Sequence, residues 1–164
     1  MPPVTQALEQ LEWNSAMNSE PQVAYCGLYC GDCIIRNGKI ASLANELLSQ
    51  MRKPEFEKLA EGLPQIMPEQ FEAMRQTKGC VRVLESMAHL GCYKTCKDGG
   101  GGSSCPIRVC CQNKHIEGCW CCEEFETCET LSWINPVQKD AHRKNIRIIK
   151  RNGIEKFLKG TKYW

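Results

Sequence analysis

The sequence has no basic residue near its start and no long apolar run. Lys and Arg are absent from residues 1–24, and no segment approaches the roughly 18–20 apolar residues that span a bilayer. A secretory signal needs a positively charged start followed by an apolar stretch, and this start has neither. We therefore expect a cytoplasmic protein that has no membrane partner.

Neither sign of charge is in large excess, and aromatic residues are scarce. The 21 Lys and Arg nearly balance the 19 Asp and Glu, the net charge is +2, and aromatic residues make up 7% of the chain. This balance excludes a protein whose whole surface is strongly charged. The length of 164 residues, of which 42% are hydrophobic, suits one domain with its own core. We expect an N-terminal helical extension over residues 1–22 and a single cysteine-rich domain over residues 23–164.

Cysteine is the residue type that departs most from an ordinary composition, with 13 copies, nine of them within residues 92–128. In a reducing compartment, cysteine at this density indicates metal binding or thiol chemistry rather than disulfides. Cys30 and Cys33 are separated by two residues, and so are Cys119 and Cys122. This spacing lets one turn direct two thiolates at the same ion, about 2.3 Å away. The two pairs therefore predict metal binding.

The identity of the metal stays open, because thiolate-rich sites suit both zinc and iron–sulfur clusters. We expect zinc, in a structural site that contributes folding free energy directly. The alternative is an iron–sulfur protein in electron transfer or cluster handling. A second alternative is a thiol redox or metal-trafficking protein, since Cys30-Gly-Asp-Cys33 has the spacing of a redox motif. His115, between Cys111 and Cys119, leaves a mixed Cys/His site open.

No Ser/His/Asp or paired-carboxylate arrangement stands out, so no catalytic residue is assigned. The expected role is a structural or interaction module with an unidentified protein partner, rather than an enzyme.

Hydrophobic periodicity predicts a mostly α-helical fold with a loop-rich, cysteine-rich metal-binding region. The strongest pattern has apolar residues at helical spacing from Ile40 to Met51. One predicted helix starts at Pro54 and stops at Gly62. The predicted helices cover residues 40–51, 54–61, 68–74, 81–88, 107–114 and 122–133.

The last 26 residues are basic and are predicted to contain an amphipathic helix. Lys139, Arg143, Arg147 and Arg151 recur every four residues and predict one solvated charged stripe. A nucleic-acid surface is the sharper alternative, disfavoured because the stripe lacks interleaved aromatic residues. His142, in the same segment, is expected to be solvated.

Several of these motifs resemble the domain of unknown function 3795 family, a family of small cysteine-rich proteins that are presumed to bind metal. The similar segments are residues 25–33, 105–110, 118–128 and the ending 145–164. By position, the resemblance implies nine metal ligands: Cys26, Cys30, Cys33, Cys96, Cys105, Cys110, Cys119, Cys122 and Cys128. The other four cysteines are interpreted as plain buried thiols: Cys80, Cys92, Cys111 and Cys121.

Overall fold

The computed structural model describes residues 22–164, so the predicted extension over residues 1–22 lies almost entirely outside the described residues. The chain divides into two compact units. Among the described residues, unit 1 contains residues 22–30 together with Gly102–Trp164, and unit 2 contains Gly31–Gly101. Both units are helical, which confirms the predicted fold class. Within the described range, no helix is both long enough and apolar enough to cross a bilayer.

Unit 2 is a set of short helices joined by tight turns. Its elements are α1 (Lys39–Met51), α2 (Pro54–Ile66), α3 (Pro68–Phe71), a 3-10 helix (Glu72–Gln76) and α4 (Thr77–Met87). Proline is the first residue of both α2 and α3, where its missing N–H has no intrahelical acceptor to lose.

The predicted end of α2 at Gly62 is wrong, because this helix continues to Ile66 and contains Pro64. Pro64 is fully buried, and Ala60, one turn earlier, is buried too. Packing of this face offsets the low helix propensity of Gly62 and the backbone hydrogen bond that Pro64 cannot donate.

The core of unit 2 forms between α1 and α4. Ala44 and Leu48 of α1 pack with Leu84 of α4, and four partly buried residues surround them, namely Met51, Val81, Met87 and Ala88. The predicted apolar stripe of α1 is therefore only partly internal. Leu43 and Leu47 remain 50% and 47% exposed.

Unit 1 has short helices around one long basic helix. Its elements are α5 (Pro106–Asn113), a 3-10 helix (Cys119–Cys121), α6 (Glu129–Ser132), α7 (Asn135–Gln138), α8 (Ala141–Asn152) and α9 (Ile154–Lys159). The predicted helix over residues 122–133 is wrong, because only Glu129–Ser132 is α-helical. The Cys128 thiol accepts a hydrogen bond from the Leu131 N–H and caps this short helix, so helical geometry begins only after Cys128.

One face of helix α8 is buried in the core of unit 1, and this burial interrupts the predicted charged stripe. Ile146 is fully buried against Gly27, and Ile149 is buried as well. His142 is 0% exposed, so its predicted solvation is wrong. Arg143 is only 8% exposed, which removes the centre of the predicted solvated stripe. The sequence pattern placed Arg143 on the outer face because burial of an arginine depends on acceptors from elsewhere in the chain.

Candidate metal centre

No disulfide joins any of the 13 cysteines, all of which lie among the described residues, and five of them line one cavity in unit 1. This cavity has a volume of about 240 Å³. We call its five cysteines the thiol cluster: Cys110, Cys111, Cys119, Cys122 and Cys128. Phe125 and Leu131 close the cavity with apolar surface. Four of these cysteines belong to the predicted ligand set, and Cys111 does not.

The last part of α5, the turn around Cys119 and the start of α6 deliver these thiols. Pro106 fixes the first turn of α5, which carries Cys110 and Cys111 near its end. Neighbouring residues of a helix differ in direction by about 100°. Accordingly, Cys111 is buried at 1% exposure, whereas Cys110 is half-buried nearer the surface.

Cys119 is the central member of the thiol cluster. Its backbone N–H donates to the carbonyl oxygen of Tyr25 over 2.8 Å, which joins the 3-10 helix to the segment that carries Cys26. The Sγ atoms of Cys111 and Cys119 lie 3.7 Å apart. This separation is far too long for a disulfide, whose sulfurs are about 2.05 Å apart. It equals the edge of a zinc–thiolate tetrahedron, about 3.8 Å for zinc–sulfur bonds of about 2.3 Å.

The thiols at this centre oppose one another's ionisation. The hydrogen bond with Cys111 raises the pKa of Cys119 most, and burial adds to it, followed by negative charge on Cys111, Cys26 and Cys128. Burial also raises the pKa of Cys110, although the ammonium group of Lys114 lowers it in part. Ionising several of these thiols together is therefore unfavourable unless a cation lies among them.

Lys114 supplies positive charge at the rim of the cluster. Its Nζ atom lies 3.8 Å from the Sγ of Cys122 and 3.7 Å from a carboxylate oxygen of Glu124. Negative charge on Cys122, then on Cys110 and Glu124, raises the pKa of Lys114. The cation therefore stays charged beside the two outer thiols.

The remaining predicted ligands are not in this cavity. Cys26 is buried in unit 1 and acts electrostatically on Cys119. Cys30 starts a 3-10 helix (Cys30–Asp32), and Cys105 is the residue before α5. Cys33 and Cys96 belong to unit 2. Among residues 22–164, no group of three or more His, Cys, Asp or Glu side chains is already arranged to hold a metal ion.

The other cysteines and His115 have mixed outcomes. Cys111 is buried as predicted, but Cys80 and Cys121 are exposed, so their predicted burial is wrong. Cys92 is half-buried in unit 2, where its N–H and carbonyl pair with Ile35 and Asn37. His115 is exposed and has a φ of 51°. It does not line the thiol cavity.

The fit to a thiophilic ion rests on donor chemistry and on the Cys111–Cys119 edge. Sequence reasoning missed Cys111 and Lys114 as residues that line this cavity. The adjacent pair Cys110-Cys111 was the available signal, since neighbours on a helix point in different directions.

Comparison with known proteins identifies one family. A family model described as "Protein of unknown function (DUF3795)" matches residues 22–133. The resemblance predicted for residues 145–164 lies beyond the matched region. No curated protein and no solved structure matches the chain. Because the match covers more than half of the sequence, the chain belongs to the DUF3795 family.

Proposed function

We propose that the thiol cluster binds a zinc ion in a closed structural site and that the protein acts as a cysteine-rich interaction module in the cytoplasm. The convergence of five cysteines on one cavity is the observation that carries this proposal. Cys111 and Cys119 form one edge of the site. The other ligands come from Cys110, Cys122 and Cys128, whose charges act on that edge or on one another.

A bound zinc ion would join segments that have little regular structure of their own. Helix α5, the Cys119–Cys121 turn and the start of α6 each contribute thiols to the same cavity. Binding to ligands from separate segments stabilises the folded state, because the unfolded chain has no such arrangement. The ion also replaces the mutual repulsion of the thiolates by attraction to a shared cation.

The 3.7 Å distance between Cys111 and Cys119 favours a single ion over a cubane cluster. Each iron of a cubane takes one protein thiolate, so the cysteine sulfurs lie on opposite sides of a larger object. Two thiolates on one tetrahedral ion are instead about 3.8 Å apart. Catalysis by Cys110 or Cys119 is disfavoured because a reactive thiol has a lowered pKa, whereas the pKa values of these two thiols are raised.

The test is metal and acid-labile sulfide content per chain, measured on protein purified without oxygen or chelators. We expect zinc without sulfide. Cys111→Ser and Cys119→Ser should both lose zinc and unfold at lower temperature. Cys121→Ser is the matched control, because Cys121 lies in the same turn as Cys119 but is exposed. Iron with equal sulfide, or full zinc content in both cluster variants, would overturn the proposal.

A further inference from the structure

The loop of residues 122–128 carries two members of the thiol cluster and is fixed by helix α8. Three basic residues of α8 reach it, at positions 143, 147 and 150. Lys150 donates to the carbonyl of Cys122 and pairs with Glu123 at 2.7 Å. Arg147 binds both carboxylate oxygens of Glu126 at 2.7 and 2.6 Å. The loop is thus held along its length by one helix.

Arg143 makes the buried part of this attachment. Its Nη2 atom donates to the carbonyl oxygen of Cys128 and to the hydroxyl of Ser132, each over 2.9 Å. Its Nε atom donates to the carbonyl oxygen of Glu126 over 3.2 Å. One side chain therefore fixes the backbone on both sides of residue 127.

The hydrogen bonds of Arg143 act on Cys128, a ligand of the proposed zinc site, through its backbone carbonyl group. Cys128 caps α6 with its own thiol, and its position follows from the loop that leads into that helix. Fixing a loop residue costs backbone entropy. Hydrogen bonds from a charged donor are stronger than those between neutral groups, so they help to hold Cys128 in place before an ion arrives.

The charge of Arg143 also suits this location. A zinc ion with four thiolates has a net charge of about −2, and groups behind the ligands tune such centres. Arg143 is 8% exposed, so its charge is little screened by solvent. Of the α8 residues that bind this loop, it is the one with a buried side chain.

We propose that Arg143 is the positioning residue of the metal centre, holding the Cys128 arm in place through the Cys128 and Glu126 carbonyl oxygens. This inference rests on the proposed zinc site. It gives the basic C-terminal helix a role inside unit 1 rather than at a nucleic-acid surface.

The test titrates anaerobic, metal-stripped full-length protein with Co²⁺, whose thiolate charge-transfer absorption reports the number of bound thiolates. Arg143→Lys keeps the charge but loses the fork that reaches several acceptors. We expect it to bind Co²⁺ at least about tenfold more weakly, with charge-transfer intensity reduced by about one thiolate. Lys144→Gln is the matched control, because Lys144 is the exposed neighbour on α8.

The outcomes separate this inference from the zinc proposal. Wild-type protein without a thiolate–cobalt band would overturn the zinc proposal and this inference with it. If the wild-type protein binds Co²⁺, and a folded Arg143→Lys variant has the same charge-transfer band and the same affinity, only the role of Arg143 is overturned. If Arg143→Lys fails to fold, Asn135→Ala decides the question, since the Asn135 side-chain oxygen accepts from Nη1 of the guanidinium. Weaker Co²⁺ binding supports the inference, and unchanged binding overturns it.

Discussion

The side-chain amide of Asn145 pairs with both backbone polar groups of Tyr163. Its Nδ2 donates to the Tyr163 carbonyl over 3.0 Å, and its Oδ1 accepts from the Tyr163 N–H over 2.9 Å. Asn145 is 0% exposed, whereas Tyr163 is 40% exposed. A buried residue of α8 thereby ties the end of the chain to the core of unit 1.

Asn145→Ala should destabilise the protein by about 2 kcal/mol, because both hydrogen bonds disappear and a buried site loses volume. Urea unfolding of the metal-loaded protein measures this cost. Asn152→Ala, at the exposed end of the same helix, should change the free energy of unfolding by less than about 0.5 kcal/mol. In a chain that lacks residues 163–164, Asn145→Ala should change the free energy of unfolding much less, since the hydrogen-bond partner Tyr163 is already gone. If the costs of the deletion and of Asn145→Ala simply add, the pairing is refuted.

Gly27 should not accept a side chain, because it has a φ of +82° and lies against α8. A Cβ atom there would meet Cγ1 of Ile146 at 2.7 Å and the carbonyl oxygen of His142 at 3.3 Å. Gly27→Ala should cost about 3 kcal/mol, from backbone strain plus the displacement of Ile146. Because the neighbouring Tyr25 carbonyl accepts from the Cys119 N–H, binding at the proposed zinc site should weaken as well.

Gly99→Ala is the matched control for Gly27→Ala. Gly99 has a φ of +85°, and a Cβ added to it meets no atom within 4 Å. Only backbone strain applies there, so we expect a cost of about 1 kcal/mol. Urea unfolding and metal content of both variants make the comparison. Equal losses would show that contact with Ile146 contributes nothing.

Helical content and the positions of several helices could be predicted from the sequence, because they follow from local patterns. The spacing of apolar residues located α1, and Pro106 located the start of α5. The stretch of residues 122–133 has similar apolar spacing, yet its first part is a loop fixed by α8. Contacts between distant segments decided that case, and no local pattern encodes them.

The candidate site was predictable in residue type but not in membership. Cysteine spacing selected Cys119 and Cys122, and the family resemblance added Cys110 and Cys128. Neither could show that Cys111 faces inward, since the phase of α5 depends on what the helix packs against. The burial of Arg143 could not be predicted from the sequence either, because the acceptors of its hydrogen bonds include backbone carbonyl oxygens, which every residue possesses.

Leu48→Ala should destabilise unit 2 far more than Leu47→Ala, although the two leucines are adjacent on α1. Leu48 is 3% exposed and belongs to the core with Ala44 and Leu84, whereas Leu47 is 47% exposed. We expect a cost of about 2–4 kcal/mol for Leu48→Ala and less than about 1 kcal/mol for Leu47→Ala. Thermal unfolding followed by circular dichroism measures both. Similar costs would mean that the predicted stripe, with both leucines internal, describes α1 better.

His142 should make the protein less stable in acid. Burial first, and then the charge of Arg143, lower the pKa of His142 below its ordinary value of 6.5, although Asp140 opposes this shift. The Nε2 atom lies 3.2 Å from Nη1 of Arg143, which can only donate, so Nε2 accepts and the ring is neutral. Protonation would break this bond and place two cations side by side.

The direction of the pH effect follows from proton binding. Between pH 6.5 and the lower pKa of the folded state, His142 binds a proton only when the chain unfolds. Its contribution to stability is therefore complete above pH 6.5 and is lost as the pH falls, by at most about 1.4 kcal/mol per pH unit. Urea unfolding at several pH values should show a steeper acid loss in wild-type protein than in His142→Gln. Both proteins keep every cysteine and carboxylate, so acid release of metal affects them alike. Parallel pH profiles would mean that His142 is protonated equally in the folded and unfolded chains.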